Sequence, residues 1–157
     1  MNTTGATPIG WTQGRALVAT AAAALMIAVP CGAAEDARQL APLPEPALAT
    51  LRAEMLANLR AVHEIVSLMA AGKVQMAGEV AERELGTSAM GRNRSLPPEA
   101  RPGPQMPAAM HAMGIEGHQA ASRFAREAAT GDRDRAFAAL PAVMTSCLSC
   151  HHAYRTR

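Results

Sequence analysis

From residue 48 onward the large apolar residues recur at a helical step. Leu48, Leu51, Met55, Leu59, Val62, Val66 and Met69 follow one another at intervals of three or four, the spacing that gathers side chains on one face of an α-helix. Neither glycine nor proline interrupts the run before Gly72, so the pattern predicts one long helix over about Pro46 to Ala71. Val74, Ala77, Ala81 and Leu85 carry the period into a shorter second helix, with Gly86 as its expected stop. The joint Ala71-Gly72-Lys73 is short, which predicts antiparallel neighbours.

Between Thr87 and Gln105 the periodicity gives way to Gly91, Pro97, Pro98, Pro102, Gly103 and Pro104, the composition of a long crossover loop. A third helix is expected from near Pro107 to about Gly131, with Met110, Met113, Gly117, Ala120, Ala121, Phe124 and Ala128 on one face. Asp132 or Asp134 then caps a fourth, whose stripe runs Phe137, Leu140, Met144, Cys147, His151 and Tyr154. That stripe is the expected core-facing side of the helix. Pro141 lies within it and either bends the helix or marks its true first turn. No strand-like alternation and no internal repeat is visible, so the expected fold is all-α: an antiparallel four-helix bundle with a long crossover between helices two and three.

The first residues follow a different logic. A polar start with Arg15 precedes an apolar run from Ala16 to Val29, too short for the roughly twenty residues of a membrane-crossing helix. Small residues at Gly32, Ala33 and Ala34 come next, and charge begins at Glu35. This order is that of a secretory signal peptide, and it divides the chain into a leader over residues 1–34 and a single domain over residues 35–157. An uncleaved anchor is the other reading. Cys31 follows Pro30, a poor fit to a lipid-attachment site, and is expected to leave with the leader together with Trp11. The expected location is the periplasm, with no stable membrane span after cleavage.

Charge adds little. Of 15 Lys and Arg only Arg15 precedes residue 35, and 13 acidic residues balance the rest, which gives no electrostatic case for nucleic acid or an anionic membrane. Aromatic residues are scarce: beyond the leader only Phe124, Phe137 and Tyr154 remain, where a core normally draws much of its buried area from such side chains. A prosthetic group would make up that deficit.

The chemistry is concentrated at the end of the fourth helix. Cys147-Leu148-Ser149-Cys150-His151 has the Cys-x-x-Cys-His form that attaches c-type haem. Positions i, i+3 and i+4 share a helical face, so two thiols and one imidazole converge, the thiols suited to thioether bonds with the haem vinyl groups and His151 to the iron. Two plainer readings compete. One is a redox disulfide, usually found at a helix start in an alternating strand and helix pattern; the other is a partial zinc site using His151 and His152. Adjacent histidines diverge on a helix, and no second Cys/His pair of ligand spacing occurs elsewhere. No catalytic triad, phosphate-binding glycine loop or carboxylate cluster accompanies the motif, so the chain does not read as an enzyme. Weak peroxidase-like activity remains open if one side of the iron is free.

Four helices, a Pro/Gly-rich crossover, Arg52 near the start of the first helix, and the ending Cys147-x-x-Cys150-His151-x-x-Tyr154-Arg155 resemble the class II c-type cytochromes, the group of cytochrome c′ and its low-spin, methionine-ligated relatives. The resemblance spans about Leu48 to Arg157. It implies one covalent haem c with His151 as proximal ligand and, where a protein ligand completes the iron, a distal ligand from the first helix. Met55 is the expected one, being on the apolar stripe one turn beyond Arg52. In the family the distal residue commonly lies four positions after the arginine, here Leu56, and an iron facing Leu56 would be five-coordinate. The resemblance also puts Arg52, Tyr154 and Arg155 near the haem. His63, His111 and His118 are weaker candidates for ligation, and His152 is expected to face away.

Two functions follow from the coordination. Six-coordinate iron with His151 and Met55 implies a one-electron carrier serving redox partner proteins, since thioether ligation raises the potential relative to two imidazoles. Five-coordinate iron beside Leu56 implies a protein that binds nitric oxide or carbon monoxide. Ala70 to Gly78, rich in Ala, Gly and Met, permits a homodimer through the first two helices, and a monomer is equally compatible.

Overall fold

The structure, a computed structural model, describes residues 35–157. The proposed leader, with its cleavage after Ala34, lies outside the described residues. The described chain is helical almost throughout. It contains α1 (Glu45–Ala70), α2 (Val74–Leu85), α3 (Pro102–Gln105), α4 (Ala108–Ala129) and α5 (Arg133–Ala153), with two short 3-10 turns at Thr87–Ala89 and Pro98–Ala100. Strands β1 (Gln39–Leu40) and β2 (Tyr154–Arg155) pair in parallel, Gln39 with Tyr154 and Leu40 with Arg155. Among the described residues no helix is long and apolar enough to cross a membrane.

Helix boundaries follow local chemistry. Pro46 occupies the first turn of α1, where its missing N–H costs nothing. Gly72, at φ +73°, turns the chain out of α1, and the amides of Gly72 and Lys73 return to the carbonyls of Met69 and Leu68. Gly86 ends α2 for another reason. Its backbone is extended, but a Cβ there would lie 2.7 Å from the Glu82 carbonyl oxygen. Asp132 starts α5, its Oδ1 accepting from the amides of Asp134 at 3.0 Å and Arg135 at 3.1 Å. The expected irregular crossover holds three short helical turns, two of them opened by Pro98 and Pro102 at first-turn positions. Pro141 neither begins nor ends a helix: α5 runs unbroken past it.

Helix α2 packs on both α1 and α4, and α4 packs on α5. The main core joins Ile65 and Met69 of α1 with Val74, Ala77, Val80 and Ala81 of α2, Ala120, Ala121, Phe124 and Ala128 of α4, and Ala136 and Val143 of α5. Most of these seams are lined by alanine, which lets helices approach closely. At the α2–α4 crossing a Cβ on Gly78 would sit 2.8 Å from the Ala128 Cβ. A second cluster gathers Ala41, Leu51, Met110 and Tyr154, with Leu43, Met106, Met113, Cys150 and Ala153 packed against it.

Two expectations about faces need correction. On α1 the buried side is Ala47, Leu48, Leu51, Ala61, Ile65 and Met69, while Met55, Leu59 and Val66 of the expected core stripe are exposed. On α5 the buried residues are Ala136 and Val143, and Phe137 and Met144 of the expected stripe are exposed, Phe137 lying beneath the Arg133 guanidinium at 5.3 Å. On α5 the seam falls to the small Ala136 and to Val143, while on α1 the buried side combines Ala47 and Ala61 with Leu48, Leu51, Ile65 and Met69.

Candidate functional site

The Cys-x-x-Cys-His run lies wholly within α5, in its last two turns. Helical geometry therefore holds Cys147, Cys150 and His151 on adjoining positions of one side. Both cysteines are free thiols. Cys147 is exposed and its thiol points back to the Val143 carbonyl at 3.5 Å. Cys150 is half-buried on the edge of the second cluster, and burial, followed by the neighbouring Cys147, pushes its thiol above the ordinary cysteine range. A thiol so raised stays protonated near neutrality and resists oxidation to a disulfide. His151 and His152 are both exposed.

The surroundings of the motif are apolar but not enclosed by α4. On α5, Phe137, Met144 and Leu148 are exposed, Leu148 at 67%. On α1, Met55, Leu56, Leu59 and Val66 form a second exposed apolar face, with Met55 at 38%, Leu56 at 50% and Leu59 at 65%. Large apolar side chains concentrated on two helices of one small domain are the usual mark of a surface that binds something apolar. Two thiols and an imidazole on one side of α5, with Met144 and Leu148 exposed beside them, are a donor set that would fit a flat, mostly hydrocarbon macrocycle with a metal at its centre.

The remaining predicted residues lie on α1 and in the tail after α5. Tyr154 is buried with Ala41, Leu51 and Met110. Arg155 donates from Nε to the Arg38 carbonyl at 3.2 Å and approaches Asp36 at 3.8 Å. Arg52 is exposed and pairs loosely with Glu45 at 3.8 Å. Met55 and Leu56 both lie outside the buried side of α1, so Met55 is not on a core-facing stripe as expected, although it is the less exposed of the two.

His118 has a structural job. Its Nδ1 lies 2.7 Å from the Leu85 carbonyl and 3.1 Å from that of Gly86; since carbonyls only accept, this nitrogen carries the proton and ties α4 to the end of α2. His111 packs over Gly103, and His63 is exposed. Among the described residues no three or more His, Cys, Asp or Glu come together in a group that could hold a metal ion.

Two features escaped sequence reasoning. The first is a polar knot that joins α2 to α4: Glu82 accepts from Ser122 Oγ at 2.5 Å and from Ser88 N at 3.0 Å, while Thr87 N donates to Ser122 Oγ at 2.9 Å. These hydrogen bonds, led by those from Ser122 and Ser88, hold the Glu82 carboxyl below the usual range. The second is the segment Asp36–Ala41, which lies along the end of α5. Asp36 and Arg38, two residues apart, resemble any solvated pair until the fold brings them to His151 and Arg155.

Compared with known family models, with characterised proteins and with solved structures, the chain matches none.

Proposed function

We propose that this chain is a periplasmic c-type cytochrome of the class II kind: an antiparallel four-helix bundle of α1, α2, α4 and α5 that carries one covalent haem c and passes single electrons between redox partner proteins. The observation that carries the proposal is the placement of Cys147, Cys150 and His151 on one side of a continuous helix, next to large apolar side chains that α4 leaves uncovered. The antiparallel arrangement is supported by the two clusters. Leu51, early in α1, shares a cluster with Cys150 and Tyr154 at the end of α5, whereas Ile65 and Met69, late in α1, belong to the core that α2 and α4 extend to Ala136 and Val143 of α5.

Cys147 and Cys150 would hold the group as thioethers, and His151 and Met55 would be the donors to its iron. Bound there, haem supplies reversible one-electron transfer at its iron. His151 and Met55 would be supplied by two separate helices, α5 and α1. Cys147, Leu148 and His151 are exposed, so a group attached there would be open to close approach by a partner protein.

A second reading is favoured by one specific observation. Leu56 shares the exposed face of α1 with Met55. With Leu56 toward the iron the distal side has no protein ligand, and the molecule binds nitric oxide or carbon monoxide instead. Met55→Ala separates the two readings. For the carrier, the substitution converts a low-spin spectrum to high-spin, lowers the potential and admits carbon monoxide; unchanged bands and potential would assign Met55 to packing and favour the gas binder.

A further inference from the structure

We propose that Arg38 is a positioning residue for the last turn of α5, and through that turn for Cys150 and His151. A helix ends on carbonyls that have no partner of their own. In α5 the Cys150 carbonyl accepts from the Tyr154 amide, and the His151 carbonyl accepts from Arg38 NH1 at 3.5 Å. A guanidinium at a helix C-terminus also faces the negative end of the helix dipole.

Arg38 is itself held from three sides. Asp36 accepts from its Nε at 2.9 Å, its NH2 at 2.8 Å and its amide at 3.1 Å, and these bonds pull the Asp36 carboxyl down to about 2. Arg155 donates to its carbonyl. The chain then continues through β1 to Ala41, whose amide donates to the Arg155 carbonyl at 2.8 Å and whose side chain is buried with Tyr154. Residues 36–41 thus clasp the tail that follows the motif. The consequence is specific to the site: Cys147 lies in the turn before, so fraying of the last turn would change the spacing of Cys150 and His151 relative to it.

The inference rests on the haem reading only for its optical readout. The exported full-length chain is compared with Arg38→Ala, Arg38→Lys and Asp36→Ala by peptide-resolved amide exchange and by the absorption spectrum and reduction potential. In Arg38→Ala, exchange over residues 150–155 rises about fivefold while residues 133–146 stay as before, a shift of the size expected for losing a half-exposed charged hydrogen bond. The absorption bands and potential shift with it, and Arg38→Lys restores most of both. Exchange within twofold of the parent overturns the proposal, and faster exchange with unchanged bands and potential overturns the positioning role. A parent chain without haem defeats the haem reading instead and leaves exchange to decide. Should Arg38→Ala not fold, Asp36→Ala, which removes the anchor but keeps the guanidinium, decides the matter by the same exchange criterion.

Discussion

The alanine-lined seam between α2 and α4 makes one substitution a sensitive gauge of the packing. Gly78→Ala would place a methyl 2.8 Å from the Ala128 Cβ and 3.0 Å from the Ala125 carbonyl oxygen, both well inside ordinary contact. Neither neighbour can swing aside, since one is a Cβ and the other backbone, so the helices must part. Replacing a mid-helix glycine by alanine normally gains about 0.5–1 kcal/mol, and overpacking a tight seam costs about 1–3 kcal/mol. The balance is a loss of about 1–2 kcal/mol, or a fall in Tm of about 5 °C for a domain of this size. Gly114 of α4 supplies the control, because a Cβ there meets nothing within 4 Å. Gly114→Ala is therefore expected to stabilise by about 0.5–1 kcal/mol. Thermal unfolding followed by circular dichroism measures both. If Gly78→Ala unfolds at the same temperature as the parent or above it, the close crossing of α2 and α4 is wrong.

Other consequences follow from the polar contacts. Because hydrogen bonds depress the folded-state acidity of Glu82, their contribution is present above the ordinary glutamate value of 4.5 and is lost as pH falls through the lower folded value. Glu82→Gln is thus expected to lower stability at neutral pH, with the difference from the parent shrinking under acid in a chemical-denaturation series; a difference that does not change with pH would contradict this. Asp132→Ala removes the side-chain cap of α5 and should cost about 1 kcal/mol by the same assay, with Asp132→Asn nearly neutral.

The sequence carried the helices more clearly than their faces. Periodicity located α1, α2, α4 and α5 to within a few residues, and the glycines and prolines marked where each stops. Which side of a helix is buried was harder, because α1 offers two apolar stripes: Leu51, Ala61, Ile65 and Met69, and beside it Met55, Leu59 and Val66. The expected stripe joined Leu48, Leu51 and Met69 of the buried side to Met55, Leu59 and Val66 of the exposed one, all of them large residues. Close helix packing selects small ones, so Ala61 and Ala136, near zero in exposure, were the better guides. The same misreading placed Phe137 and Met144 inward on α5. The β1–β2 pair joins segments more than a hundred residues apart through two residues each, and no local pattern announces it. The placement of Cys147, Cys150 and His151 on one helix was legible, since it depends only on local spacing.

The central claim is a haem fixed to α5 through Cys147 and Cys150. Intact mass of the exported, processed chain, taken with its absorption spectrum in alkaline pyridine, tests it most directly. The account predicts polypeptide plus one haem, with the bands of a thioether-linked haem, and the loss of both in the Cys147→Ser, Cys150→Ser double variant. A colourless protein with the mass of polypeptide alone would contradict it.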